Sequence, residues 1–117
     1  MTDEITIYHN PRCSKSRATL ELLRAQGHEP RIIEYLKDPP GDKELATILR
    51  LLGFQPRELM RTKEAEYQQE NLADPDLTDN DLIRAMHEHP RLIERPIVLA
   101  NGKAALGRPP EAVLKIL

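Results

Sequence analysis

The chain has 117 residues, a length suited to one compact domain with a single hydrophobic core. Its net charge of -2 and its aromatic content of 3% argue against a nucleic-acid surface, which needs a basic footprint or a base-stacking platform. The longest apolar runs are only a few residues, so we expect no membrane span. The acidic opening at residues 1–4 does not resemble a secretory signal. We therefore expect a cytoplasmic protein.

The first third of the chain predicts a β–α–β unit. Residues 5–8 are rich in β-branched and aromatic side chains and end at a His-Asn-Pro turn signal. A helical pattern begins near Ser14, and Gly27 is placed to stop it. Residues 31–36 then predict a second strand. Because the span is so short, this order implies a right-handed crossover between parallel strands.

The middle of the chain, at about residues 42–90, predicts a helical insert. Asp42 is placed to cap a helix whose apolar residues recur at i, i+3, i+4 and i+7, and Gly53 is placed to end it. The polar segment 55–70 predicts short helical turns. A capping-box pattern at residues 78–81 predicts the start of another helix, and the sequence His89-Pro90 predicts its end.

The last part of the chain predicts a β-hairpin followed by a helix. Residues 97–100 and 103–106 flank Asn101-Gly102, a strong signal for a two-residue hairpin turn. Two prolines at 109–110 begin the final helix. Its predicted buried stripe consists of Val113, Ile116 and Leu117.

The predicted element order is therefore βαβ, a helical insert and ββα. This order predicts an α/β protein with a mixed four-stranded sheet covered by helices, which is the thioredoxin-like fold. We expect a single domain over residues 1–117, with the insert at about 42–90.

The lone cysteine, Cys13, follows the first predicted strand and lies at or just before the N-terminus of the first helix. First-turn N–H groups and the helix dipole favour negative charge there, and Arg12, Lys15 and Arg17 add positive charge. Such surroundings lower the pKa of a thiol from about 8.5 to roughly 3.5–7.5. The same loop, which includes Ser14, suits a bound oxyanion. The alternative is a buried structural cysteine.

Ser16 occupies the second cysteine position of a Cys-x-x-Cys redox motif. A dithiol cycle within this pair is therefore impossible, and the resolving thiol must come from another molecule. Ser16 either hydrogen-bonds the thiolate or fills the helix turn. His9 either tunes the thiolate or is a polar residue at the end of a strand. With one cysteine and no suitably spaced histidines, we expect no metal site.

Three arginines are candidates for binding an anion. Arg95 precedes Pro96 just before the hairpin, where a thioredoxin-like fold would place a cis proline beside the active cysteine. Arg108 lies between the hairpin and the final helix, and Arg61 lies in the polar insert. Each alone is typical of a solvated surface, but planar guanidinium groups suit a tetrahedral oxyanion.

The segment His9-Asn10-Pro11-Arg12-Cys13 resembles the active-site segment of the glutaredoxin-coupled arsenate reductase (ArsC) family. The similarity covers nearly the whole chain and is closest to the short, YfgD-like branch. The further segments that carry it are Ser16-Arg17 with Leu20, Tyr35-Leu36, Leu59-Met60-Arg61, Asn71-Leu72-Ala73, His89-Pro90, Arg95-Pro96-Ile97-Val98 and Gly107-Arg108-Pro109.

The resemblance implies a distribution of roles. It places the nucleophile at Cys13, the anion-binding arginines at Arg61, Arg95 and Arg108, and a histidine that influences the thiolate at His9. It implies arsenate as the substrate, glutathione as a co-substrate with no bound cofactor, and glutaredoxin as the partner. It also implies a covalent adduct between the cysteine sulfur and arsenic.

One departure and two alternatives accompany this interpretation. The longer family members have Gly-Thr after the cysteine, where this chain has Ser14-Lys15, which changes the shape and charge of the anion loop. The first alternative is a glutathione-dependent thiol-disulfide oxidoreductase that uses the same Cys13. The second is a non-enzymatic redox regulator that binds RNA polymerase, a branch typified by a Cys-x-x-Cys switch, against which Ser16 argues.

Overall fold

A computed structural model describes residues 4–117 of the chain. The first three residues, which contribute to the acidic opening, lie outside the described residues. The chain forms two compact units. One combines the described residues through Asp38 with Arg95–Leu117, and the other is Pro39–Glu94. Within residues 4–117, no helix has the length and apolar character needed to cross a membrane.

The first unit contains a sheet of four strands, β1 (Thr6–His9), β2 (Arg31–Glu34), β3 (Ile97–Ala100) and β4 (Lys103–Leu106). Their order in the sheet is β2-β1-β3-β4. β1 pairs in parallel with β2 and antiparallel with β3, and β3 pairs antiparallel with β4. The predicted mixed four-stranded α/β sheet is therefore confirmed.

Helix α1 (Ser14–Ala25) follows β1, and Gly27 takes a positive φ of 85° just beyond its C-terminus. A positive φ angle costs little conformational energy only for glycine, so the helix stops where Gly27 can adopt it. Ile5, just before β1, and residues of β1, β3, α1 and the C-terminal segment share one hydrophobic core, in which each large aliphatic side chain contributes roughly 1.5–3 kcal/mol. The members of this core are Ile5, Ile7, Leu20, Leu23, Val98, Ala100, Val113 and Ile116.

The predicted hairpin turn at Asn101-Gly102 is confirmed. Both residues take positive φ angles, 54° for Asn101 and 71° for Gly102, as a type I′ turn requires. The Asn101 side chain also donates a hydrogen bond to the carbonyl of Ile116 at 2.8 Å, which links the turn to the end of the chain.

The final helix, Pro110–Ile116, is a 3-10 helix rather than an α-helix. Its buried residues, Val113 and Ile116, are three positions apart, which is the repeat of a 3-10 helix. Leu117 of the predicted buried stripe is only partly buried, but it packs against the same core.

The second unit is helical. It contains α2 (Asp42–Leu52), α3 (Ala65–Gln69) and α4 (Asp79–Glu88), with short 3-10 helices at Pro56–Leu59 and Pro90–Leu92. The predicted helices on either side of the polar segment are thus present, and the polar segment itself forms short turns.

The ends of α2 and α4 follow local sequence signals, with one correction. Gly41 is the N-cap of α2, so Asp42 is its first helical residue and not its cap. A carboxylate in the first turn still interacts favourably with the helix dipole. Gly53 ends α2 in the left-handed conformation, as predicted. The capping box at the start of α4 is confirmed, with Thr78 and Asp81 each accepting a hydrogen bond from the other's backbone N–H.

Candidate active site

The loop between β1 and α1 is organised by Asn10. The Asn10 carbonyl accepts a hydrogen bond from the Cys13 backbone N–H at 3.0 Å, which closes a four-residue turn. Its side-chain oxygen accepts the backbone N–H of Arg12 at 3.0 Å, and its own N–H donates to the Ser16 hydroxyl oxygen at 3.0 Å. From the sequence, Asn10 was part of a turn signal and of the segment that resembles the ArsC active site, but its organising role was not predicted, although Asn followed by Pro is a common start for such turns.

Cys13 is the N-cap residue of α1, and the exposed Ser14 is the first helical residue. Partial burial raises the pKa of the Cys13 thiol, but several groups oppose this effect. The backbone N–H groups of Ser16 and Lys15 lower the pKa by hydrogen bonding, and Arg95 lowers it by both its charge and a hydrogen bond. The net result is a pKa below the ordinary value of 9.0, so a larger fraction of Cys13 is thiolate at any given pH than for an ordinary cysteine.

The positive charge that lowers the pKa of this thiol is that of Arg95. Of the residues flanking the cysteine in sequence, Lys15 contributes through its backbone N–H. Arg17 donates from its guanidinium to the carbonyl of Pro11 at 2.9 Å, and Arg12 is exposed. Arg95, at the start of the hairpin, is therefore a cation beside the thiol that the residues flanking the cysteine do not reveal. The anion-binding role of the neighbouring basic residues stays a prediction.

Ser16 is fully buried, and its hydroxyl contacts residues at the start of the cysteine loop. The hydroxyl oxygen lies 2.6 Å from Nδ1 of His9 and accepts the backbone N–H of Asn10. The hydrogen bond that lowers the pKa of Cys13 comes from the Ser16 backbone N–H. Ser16 therefore acts on the sulfur through its main chain, while its side chain holds the end of β1 against the first turn of α1.

His9 is buried, with 7% of its surface exposed. Burial lowers its pKa from 6.5, the charge of Glu34 raises it, and the charges of Arg24 and Arg17 lower it, with a net lowering. His9 is therefore neutral at neutral pH. A neutral imidazole adds no positive charge near the sulfur, so its connection to the cysteine loop runs through Ser16.

Arg95 lies just before the β3–β4 hairpin and Arg108 lies just after it, and hydrogen bonds link the two segments. The Arg95–Pro96 peptide bond is cis, at the position where the sequence placed a cis proline, and the Arg108–Pro109 bond is also cis. The Arg108 guanidinium donates to the Arg95 carbonyl at 3.4 Å, and the Gly107 N–H donates to the Pro96 carbonyl at 2.9 Å. Arg95 precedes β3 and Arg108 follows β4, so the two arginines lie at the same end of the hairpin, opposite its turn.

Arg61 belongs to the second unit, where it takes part in an ion-pair network. Its guanidinium lies 2.7 Å from the Glu64 carboxylate, which also accepts from Arg91 at 3.4 Å. The Arg61 backbone N–H donates to the carbonyl of Leu92 at 2.7 Å. Glu64 was not predicted from the sequence, although its i+3 spacing from Arg61 is a recognisable pairing pattern.

Among residues 4–117, no group of three or more His, Cys, Asp or Glu side chains could hold a metal ion. Nδ1 of His87 lies 2.9 Å from the carbonyl oxygen of Pro40, and Nε2 of His89 lies 3.7 Å from the Glu70 carboxylate. Both histidines therefore interact with oxygen atoms of the protein itself.

Comparisons with known proteins agree on one family. The sequence profile of the ArsC family matches residues 8–116. The uncharacterized protein YfgD of Escherichia coli is 54% identical over 100% of this chain and 99% of its own length. A Neisseria meningitidis protein named arsenate reductase is 50% identical over 97% of this chain and 98% of its own length.

A solved structure of an arsenate reductase from Vibrio cholerae is also similar. It is 52% identical and covers 100% of both chains, with a TM-score of 0.97. The fold is thioredoxin-like, as expected from the order of the elements. The family profile spans both units and includes the cysteine loop and the arginine segments. The chain therefore belongs to the ArsC family.

Proposed function

We propose that this protein reduces arsenate to arsenite in the cytoplasm, with glutathione as the reductant, glutaredoxin as the partner and Cys13 as the nucleophile. The observation that carries the proposal is the position of Cys13 at the helix N-cap, with a pKa lowered by first-turn amides and Arg95. Relatives named arsenate reductase, about half identical over nearly their full length, support arsenate as the substrate.

The first step is attack of the Cys13 thiolate on the arsenic atom of arsenate. A sulfur–arsenic bond forms and an oxygen leaves as water or hydroxide, while arsenic stays in the +5 state. The first-turn amides and the Arg95 guanidinium would stabilise negative charge on the arsenic oxygens in this step. We assign the same role to Arg108, whose guanidinium group suits a tetrahedral anion.

The second step is the reduction. A glutathione thiolate attacks arsenic and displaces a second oxygen as water or hydroxide. A disulfide bond then forms between glutathione and Cys13 as both sulfur–arsenic bonds break. Each sulfur gives up one electron, so arsenic gains two and leaves as arsenite in the +3 state. Glutaredoxin attacks the glutathione sulfur of this mixed disulfide and returns Cys13 to the thiolate. The chain has a single cysteine, so the regenerating thiol must come from another molecule.

A thiol-disulfide oxidoreductase is the second candidate, because an activated and partly exposed cysteine also suits disulfide exchange. Consumption of NADPH, coupled through glutathione reductase, separates the two candidates. Wild type should consume NADPH with arsenate, glutathione and glutaredoxin, and Cys13→Ser should not. Lys103→Gln, an exposed change on β4, is the control. Rapid reduction of a glutathione mixed disulfide with no arsenate turnover would favour the second candidate.

A further inference from the structure

A groove of about 220 Å³ opens beside the cysteine loop in the first unit. It lies between the loop that follows β1 and the segment that follows β2. Its lining residues are Asn10, Pro11, Arg12, Glu34, Leu36 and Lys37.

The register of the parallel strands explains where the groove forms. His9 at the end of β1 pairs with Glu34 at the end of β2, so the two following segments leave the sheet at the same edge. The turn closed by the Asn10 carbonyl and the Cys13 N–H joins one wall of the groove to the cysteine. Residues at the two ends of such a turn have Cα atoms less than about 7 Å apart.

The groove presents both signs of charge and an apolar surface. Arg12 and Lys37 are exposed cations, and Leu36 is 41% exposed. Lys37 Nζ lies 3.7 Å from the Glu34 carboxylate, and the two side chains are 82% and 44% exposed. Because this ion pair is long and solvated, it contributes little and either group can exchange its partner for a ligand.

This charge pattern matches a small zwitterionic peptide better than a lone oxyanion. A peptide with two carboxylates and an ammonium group can place the carboxylates on Arg12 and Lys37 and the ammonium on Glu34. An inorganic oxyanion in the groove would meet the negative charge of Glu34. A tripeptide spans about 10 Å when extended, which is enough to bring a central thiol from the groove to Cys13.

We propose that this groove is the binding site for glutathione, an inference that rests on the proposed function because that function supplies the glutathione. Arg12 and Lys37 bind the carboxylates of the tripeptide, and Glu34 binds its amino group. The bound peptide presents its sulfur at the Cys13 side of the groove, where the disulfide with Cys13 forms.

The test uses a reaction that needs no arsenate. In glutathione disulfide, attack by the Cys13 thiolate on one sulfur forms the Cys13–glutathione disulfide and releases the other half as glutathione thiolate. Mass spectrometry measures the rate constant of this exchange with the full chain. A parallel reaction with hydroxyethyl disulfide, which carries no charge, measures the intrinsic reactivity of the sulfur. The ratio of the two rate constants reports recognition of glutathione.

We expect Lys37→Gln and Arg12→Gln each to lower this ratio about threefold to fivefold, and the double variant to lower it about tenfold. Lys103→Gln should leave the ratio unchanged, and added salt should lower the ratio of wild type. An unchanged ratio in the double variant would overturn the proposal, as would a Cys13 that reacts with neither disulfide.

The two proposals fail in different ways. If wild type does not turn over arsenate but the ratio falls in the groove variants, the glutathione site stands and the arsenate function is wrong. If wild type turns over arsenate with glutathione and the ratio is insensitive to Arg12 and Lys37, the groove assignment alone is wrong.

Discussion

Nδ1 of His9 lies 2.6 Å from the hydroxyl oxygen of Ser16, and both side chains are buried. His9 is the last residue of β1, and Ser16 lies in the first turn of α1. The contact therefore spans the loop that carries Cys13. Because the Ser16 and Lys15 N–H groups lower the pKa of the thiol, the position of this turn controls the charge on the sulfur.

Removal of the Ser16 hydroxyl should disturb both stability and the thiol. Ser16→Ala leaves the buried His9 nitrogen and the Asn10 N–H without their shared partner. The free energy of unfolding should fall by about 1–3 kcal/mol. The pKa of Cys13 should rise because the first turn is no longer held in place. Ser14→Ala, at an exposed position, should change the free energy of unfolding by less than about 0.5 kcal/mol.

Chemical denaturation checks the stability part of this prediction, and thiol alkylation checks the pKa. Equal unfolding free energies for Ser16→Ala and Ser14→Ala would show that the His9–Ser16 contact does not stabilise the loop.

The buried histidine should make stability depend on pH. The pKa of His9 in the folded protein lies below 6.5, so the unfolded chain binds more protons between the folded value and 6.5. The free energy of unfolding contributed by His9 should therefore fall as the pH drops below 6.5, and should be constant above it. His9→Gln removes this component. Denaturation of both proteins across acidic pH measures it, and parallel curves would contradict the prediction.

Arg95 should act on both the thiol and the reaction. Arg95→Ala removes a charge and a hydrogen bond that lower the pKa of Cys13, so that pKa should rise. If Arg95 also stabilises the arsenic oxygens in the transition state, kcat for arsenate should fall by roughly 10²–10³-fold. Arg95→Lys keeps the charge but loses the planar fork, so it should recover part of the pKa effect and less of the rate.

A matched control for Arg95 lies on α2. Arg50→Ala removes an exposed arginine from the other unit and should alter neither the thiol pKa nor kcat. If Arg95→Ala raises the pKa of Cys13 but keeps the wild-type kcat, Arg95 acts on the thiol pKa alone and does not stabilise the transition state.

Gly107 packs too tightly to accept a side chain. A Cβ there would lie 2.7 Å from Cγ of Pro96 and would also overlap the Thr19 side chain. Thr19 is fully buried, so it has little room to move. Gly107→Ala should therefore lower the free energy of unfolding by roughly 1–3 kcal/mol. Because Pro96 follows Arg95, the variant should also raise the pKa of the thiol.

Gly41→Ala is the control for this change, because a Cβ at Gly41 meets no atom within 4 Å and its φ of -75° suits any residue. In thermal unfolding, Gly107→Ala should have a clearly lower midpoint temperature than Gly41→Ala. Equal losses would show that the contact with Pro96 and Thr19 is easily relieved.

Local signals in the sequence predicted much of the fold. The Asn101-Gly102 turn, the Gly53 stop and the capping box at Thr78 and Asp81 each depend on a few adjacent residues, and each is present. The cap of α2 was assigned one residue too late, since glycine and aspartate are both acceptable N-caps and only the backbone conformation decides between them.

Features that depend on distant residues were harder to predict. The position of Cys13 at a helix N-terminus follows from the sequence, but the charge beside it comes from Arg95, which only the tertiary fold brings close. The groove wall formed by Glu34 and Lys37 depends on the register of β2 against β1. No pattern within either segment contains that information.

The proposed chemistry depends on the charge state of Cys13, which can be measured directly. The chain has a single cysteine, so the pH dependence of iodoacetamide alkylation under native conditions reports Cys13 alone. The midpoint of wild type should lie below the ordinary value of 9.0, and that of Arg95→Ala should be shifted upward from wild type. A wild-type midpoint at or above that value, unchanged in Arg95→Ala, would contradict this prediction.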